Sequence, residues 1–153
     1  MSNENQNPLI ATEYTMIRMA VSELIEKMDG ISGYYGSKKY CEINNISDPE
    51  KGVGIFDLQG AKYISEHIDG SFVAQYPFSV LLRNKCDSDK KNLDMTDFMD
   101  QLGAHIEAGN INLDGGRKLL EITQTVATFE NSRTDDNVLT LQSNFLLKYR
   151  KDD

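Results

Sequence analysis

A chain of 153 residues falls in the size range of one domain, and at this length folding removes about 70% of the surface the unfolded chain exposes, so a core is possible without disulfide or metal staples. Its 24 acidic against 16 basic residues leave a formal net charge of −8, which argues against nucleic acid or an anionic membrane as a partner, because phosphate contacts need a cationic surface. With 39% hydrophobic and 26% charged residues, the composition is neither disordered nor fibrous.

Residues 1–7, Met-Ser-Asn-Glu-Asn-Gln-Asn, have no basic or apolar region of the kind a secretory signal needs, and read as a disordered polar tail. No run approaches the ~20 apolar residues that span a bilayer. The first element is a helix over 8–29. Asn7 is a suitable cap and Pro8 a suitable first residue. Ile10, Tyr14, Ile17, Val21, Leu24, Ile25 and Met28 trace one face, and Gly30 closes the helix as a C′ residue. A glycine-rich link over 30–39 follows, and the period then changes to that of strands. Short strands are predicted over 39–44, 53–58 and 61–68, with a turn-rich loop at 44–52 and Asp69-Gly70 as a hairpin turn.

Residues 71–83 give the clearest strand: Phe72, Ala74, Tyr76, Phe78, Val80 and Leu82 alternate without a break. Pro77 in its middle cannot donate to a ladder. The strand is therefore expected to lie at an edge, to bulge there, or to turn its N–H side to a gap. A charged loop over 84–91 leads to a second helix, capped by Asp94 and stapled by Leu93 onto Phe98, with Met95, Phe98, Met99, Leu102 and Ile106 as its buried face. The last third reads as a long hairpin. Its first strand alternates in strict period 2 from Leu120, its tip spans 131–136, and its return strand buries Leu139, Leu141, Ser143, Phe145, Leu147 and Tyr149. The expected fold is α+β: a mostly antiparallel sheet of five to six strands with two helices packed on one face, in the order α-β-β-β-β-α-β-β. One domain covers 8–150, and 151–153 form a frayed end.

Catalytic and ligand patterns are weak. His67 and His105 have no recognisable partner spacing, and the glycines at 30, 33 and 36 close a helix rather than open one, unlike a phosphate loop. Residues 110–121 align with a calcium loop at Asn110, Asn112, Asp114, Gly115 and Glu121, but Arg117 occupies an aliphatic position and the exit is β-branched, so the reading is a turn feeding a strand. The paired acids Asp135/Asp136 and Asp152/Asp153 read as solvated surface. Cys41 and Cys86 lack metal or redox spacing and read as reduced thiols in a cytosolic setting. The chain is thus expected to be no enzyme and to hold no cofactor or metal. What stands out is a sheet face rich in Thr, Gln, Ser and Asn and poor in charge, a composition shared by solvent surface and by interface cores. A long uncharged edge strand also invites pairing with another chain.

The run Phe72-Val-Ala-Gln-Tyr-Pro-Phe-Ser-Val-Leu-Leu-Arg83, a charged loop, a short helix over 95–106 and a Thr-rich hairpin ending Leu139-Thr-Leu-Gln-Ser-Asn-Phe-Leu-Leu-Lys-Tyr-Arg150 together resemble the tail-terminator, or minor capsid, proteins of tailed bacteriophages and phage-tail-like contractile particles. The resemblance covers about 8–150 and lies in the order and texture of elements; the loop at 44–52 and the glycine run have no counterpart in it. It implies a structural subunit, assembled in the bacterial host cytoplasm into a virion or a headless tailocin, that forms a homo-oligomeric ring, commonly a hexamer. Such a ring caps the tail tube protein, ends its polymerisation, and meets the neck, connector or collar and, in contractile particles, the sheath. An acidic ring lumen would repel DNA and let it slide. By position, the contact residues are expected in the loops around Arg83, Lys85, Asp87, Lys90, Lys91, Arg133 and Asp135, and on the charge-poor face at Thr123, Thr125, Thr140, Gln142 and Asn144. The alternatives are a head-completion or connector subunit of the neck and a small intracellular binding module. A monomer indifferent to tail-tube protein would favour the last.

Overall fold

The computed structural model describes residues 8–60, 63–113 and 115–152; the polar tail expected over 1–7 lies outside them. The elements run α1 (Pro8–Glu26), a 3-10 turn (Ile31–Tyr34), β1 (Glu42–Ile43), β2 (Gly52–Asp57), β3 (Tyr63–Glu66), β4 (Phe72–Lys85), α2 (Asp89–Glu107), β5 (Arg117–Arg133) and β6 (Val138–Lys151). The six strands form one sheet in the order β1-β2-β4-β6-β5, with β3 beside the other half of β4. All pairings are antiparallel except β1 with β2. The expected α+β architecture and element order are what the chain adopts.

Alternation in β4 and β6 builds the core. Tyr76, Phe78, Val80 and Leu82 on β4 and Leu141, Phe145, Leu147 and Tyr149 on β6 point to one face and are buried there. Ile17, Val21, Leu24 and Ile25 of α1 and Met95, Met99, Leu102 and Ile106 of α2 close over them. These helical positions recur at the spacings that keep side chains on one stripe. Helix α1 lies over β1 and β2, and α2 lies over β5 and β6. Among the described residues no helix lies on the opposite sheet face.

Pro77 takes the third of its three expected arrangements. Strand β4 is central, but β2 ends where Asp57 meets Phe78 and β3 begins where Tyr63 meets Ala74. Pro77 sits at the gap between them, its carbonyl accepting from Leu58 N at 3.0 Å. The backbone passes close there: a Cβ on Gly60 would come within 2.7 Å of the Pro77 ring. The hairpin turn at Asp69-Gly70 also forms, with Gly70 at φ +92°.

Several boundaries move; β1 shrinks from the expected 39–44 to Glu42–Ile43, and β4 runs on to Lys85. Helix α1 ends at Glu26 rather than residue 29, and Gly30, at φ +86°, turns the chain into the 3-10 segment. Helix α2 starts at Asp89, inside the expected charged loop, and its cap is Ser88, not Asp94. The Ser88 hydroxyl accepts from Lys91 N at 3.2 Å, and the charges that looked like loop form i,i+4 pairs, Asp87–Lys91 at 3.0 Å and Lys90–Asp94 at 2.9 Å. Leu93 is therefore an exposed helical residue rather than a staple, and Phe98 packs on Tyr34 instead. Ser88→Ala should cost about 1 kcal/mol, read as a lower urea midpoint at unchanged slope. At the other end β6 continues through Lys151, and Asp152 N donates to Gly116 O at 3.2 Å, so these two residues of the expected frayed end are held to the sheet, while Asp153 lies outside the described residues.

The largest departure is in β5. It uses 17 residues, from Arg117 to Arg133, to pair with Lys151 back to Leu139, and the register shifts at four places. Strict alternation fails at each. Ile122 and Gln124 face the core, but after the next shift Val126 stands opposite Asn144 and Phe129 opposite Gln142, on the outer face. The return strand β6, paired on both sides, keeps its expected alternation throughout.

Candidate functional site

The face of β4, β6 and β5 opposite the helices is poor in charge and open along β5. Pro77, Ser79 and Leu81 on β4, Gln142, Asn144 and Leu146 on β6, and Thr123, Val126 and Phe129 on β5 occupy its middle, and none carries a charge; Ser79 is only 2% exposed, so the open part lies toward β6 and β5. Asparagine and glutamine side chains cross-link it: Gln142 donates to Asn144 at 2.8 Å, and Asn131 donates to Gln142 at 2.8 Å. Charges appear at its ends, with Arg83 at one and the Lys148–Glu121 pair, 3.6 Å apart, at the other. Three strands some 14 residues long, at ~3.3 Å per residue and ~4.8 Å between neighbours, span about 650 Å². That approaches the ~800 Å² each partner contributes to a standard interface, and an uncharged middle with a charged rim is the composition of one.

The contact residues expected from sequence separate into two groups. Arg83, Lys85, Asp87, Lys90, Lys91, Arg133 and Asp135 gather at one end of the sheet. Two contacts join their loops: Cys86 N donates to Asn137 O at 2.8 Å, and Arg133 reaches Asn92 Oδ1 at 3.3 Å. The hairpin tip there spans Thr134–Asn137, with Asn137 at φ +62°. Thr123, Thr125, Gln142 and Asn144 lie on β5 and β6, with Thr125 at a register shift. Thr140 is only 1% exposed, because Arg83 Nε donates to its hydroxyl at 3.1 Å while the same guanidinium donates to Asp48 O at 3.2 Å. A partner at this position meets Arg83 rather than Thr140.

A second feature went unread in the sequence. On the β1 edge, α1 and the segment around Tyr40–Ile43 enclose a groove of about 400 Å³, lined by Met19, Tyr40, Ile43, Cys41, Glu23 and Glu26. Met19, Tyr40 and Ile43 are exposed apolar residues. On the opposite edge of the sheet, β5 exposes Leu120, Val126 and Phe129. Periodicity could not show the groove, which combines residues twenty positions apart on two elements. The only trace of the β5 knob in the sequence is that its strand is longer than the one it pairs with.

The chemistry-bearing candidates occupy structural roles. His105 Nε2 lies 2.7 Å from Leu24 O, a contact that ties α2 to α1. The calcium-loop alignment fails on its exit: Arg117 opens β5, and Glu121 stands in that strand beside Lys148. Among the described residues no group of three or more His, Cys, Asp or Glu is placed to hold a metal. Cys41 and Cys86 are free and buried, and burial pushes the Cys41 thiol up to about 12. Among the described residues no helix is long and apolar enough to cross a membrane.

An α+β domain with a helical layer on one side and a bare, charge-poor sheet on the other is a shape suited to packing against other chains. No family model matches this sequence, and no curated protein matches it. In three dimensions the chain is similar to a chain from the solved structure of the "virion of native gene transfer agent (GTA) particle". The TM-score is 0.64 at 8% identity, over 90% of this chain and 97% of that one. The two chains share a fold along nearly their whole lengths.

Proposed function

We propose that this chain is a structural subunit of a phage-like particle, and within that class a tail terminator: a ring that caps the tail tube, stops its growth and joins it to the neck or collar. It acts by assembly, without catalysis or cofactor. The observation that carries the reading is end-to-end similarity of fold to a chain of a gene transfer agent virion, with no large unmatched segment in either chain. The uncharged sheet face and the loops that meet near Arg83 and Arg133 supply surface for the contacts such a role requires. With a net charge of −8 per subunit, a closed ring places acidic surface around a passage for DNA, where like charge opposes sticking.

The test is solution mass and electron microscopy, with and without a tail-tube protein from the same particle. A closed oligomer, or rings on tube ends and shorter tubes when the chain is added during polymerisation, is the expected result. A strict monomer that leaves tube length unchanged overturns the proposal. Rings that ignore tube ends but bind a portal-side protein assign the chain to the neck connector instead.

A further inference from the structure

We propose that successive copies of this chain join edge to edge, the β5 edge of one entering the α1–β1 groove of the next. The contact rests on the ring reading above and specifies it. Of the eight exposed large hydrophobic residues among those described, three line the groove on the β1 edge (Met19, Tyr40, Ile43) and three stand on β5 (Leu120, Val126, Phe129). Strands β1 and β5 are the two ends of the sheet path. One patch is a groove and the other an exposed strand, and they differ in residues. Two unlike patches at opposite ends of one molecule are what a head-to-tail contact needs, and a head-to-tail contact closes into a ring when its rotation allows.

The occupant is a second copy because one chain carries both halves and because the edges are large enough. Strand β5 covers 13 register positions of β6, about 43 Å, and a helix layer plus a sheet is ~20 Å high, giving on the order of 850 Å² per partner. A standard interface takes ~800 Å². Residues 122–129, Ile-Thr-Gln-Thr-Val-Ala-Thr-Phe, carry no charge, and the acids beside them, Glu121 and Glu130, are paired with Lys148 and Arg133, so the acidic lining of the groove, Glu23 and Glu26, meets no unpaired like charge. Side chains, not backbone, make the contact. The four register shifts of β5 interrupt its free edge, and β1 offers only two residues, so neither edge can extend a ladder. Edge-to-edge joining through Val126 and Phe129 takes up the β5 border of the outer sheet face and leaves its β6 part and the Arg83–Arg133 end free for axial partners.

Blocking one half at a time tests this. Met19→Glu closes the groove and Phe129→Glu the knob; both sites are exposed, and far-UV circular dichroism verifies that each variant folds. Each variant alone is expected to be monomeric under conditions where the wild type assembles, with or without tube protein. Mixed in equal amounts they should give a one-to-one dimer and nothing larger, because one intact groove meets one intact knob. A variant that still assembles as the wild type does, or a mixture that stays monomeric, overturns the edge contact while leaving the ring reading in place. A wild type that is monomeric under every condition overturns both.

Discussion

Phe78→Ala is expected to lower the unfolding free energy by about 3–5 kcal/mol, a large part of the 5–15 kcal/mol a domain of this kind usually has. Phe78 has no exposed surface and sits at the centre of β4, directly opposite Phe145 on β6. Its ring stacks on both neighbours, 5.3 Å from Tyr76 and 5.4 Å from Phe145, with planes 15° and 17° apart. Truncation removes the transfer energy of the ring and its stacking with two aromatic neighbours, each pair worth about 0.5–1.5 kcal/mol. It also leaves a cavity that a sheet held on both sides cannot collapse to fill. The midpoint of thermal unfolding should fall by on the order of 10 °C. Phe78→Leu, which refills most of the volume, should cost about 1–1.5 kcal/mol. With no tryptophan in the chain, urea titration followed by far-UV circular dichroism is the measurement. A loss under ~1 kcal/mol for the alanine variant would show that the centre repacks and that the stack is not the keystone.

That stack was legible in the sequence because β4 and β6 are paired on both sides. A strand hydrogen-bonded to two neighbours must keep its period, so Phe72 to Leu82 and Leu139 to Tyr149 print their buried face directly. Strand β5 has one neighbour and can bulge, so its 17 residues hide four register shifts behind an apparently regular pattern. Simple alternation puts Val126 on the face of Ile122, and the shifts turn it outward to stand exposed beside Phe129. Helix α2 was read short for an electrostatic reason: Asp87-Ser88-Asp89-Lys90-Lys91 has the composition of a loop, and only the i,i+4 pairing and the Ser88 cap turn it into a first helical turn. Alternation alone places Thr140 on the surface; its burial depends on Arg83, a residue 57 positions away in sequence.

The β5 shifts also bear on assembly. A long uncharged edge strand would ordinarily recruit any partner strand. Bulges twist it and remove the even row of donors and acceptors, so indiscriminate ladder growth is blocked while apolar side chains remain displayed. Recognition then depends on shape, as the proposed edge contact requires.

Asp57→Ala is expected to cost about 2–3 kcal/mol and to flatten the acid limb of the stability profile. Asp57 ends β2 under α1. Arg18 grips it with two hydrogen bonds, at 3.0 and 2.6 Å, Tyr76 donates to it at 2.6 Å, and Asn44 at 3.3 Å. One carboxylate thus fastens α1, the turn after β1, β2 and β4. Tyr76 is 1% exposed, so removing the acceptor strands a buried hydroxyl, worth about 1–3 kcal/mol; the Arg18 pair, partly open to solvent, adds less. Burial alone pushes the Asp57 carboxyl up, but the hydrogen bonds from Arg18 and Tyr76 and the Arg18 charge outweigh it, and its pKa lies below the ordinary value. A depressed native pKa contributes stability that is present above the unfolded value near 4 and is lost as pH falls through the native one. Burial and the bond to Asp57 push the Tyr76 phenol up, so stability should also fall above pH ~10, where the unfolded chain releases that proton and the native one does not. Wild type and Asp57→Asn should therefore differ in slope below pH ~4 and run parallel from pH 6 to 8. A double-mutant cycle with Tyr76→Phe should return a coupling of about 1–2 kcal/mol. Parallel acid limbs together with zero coupling would mean that Arg18 and Tyr76 find other partners, and that the helix is held to the sheet by its apolar stripe alone.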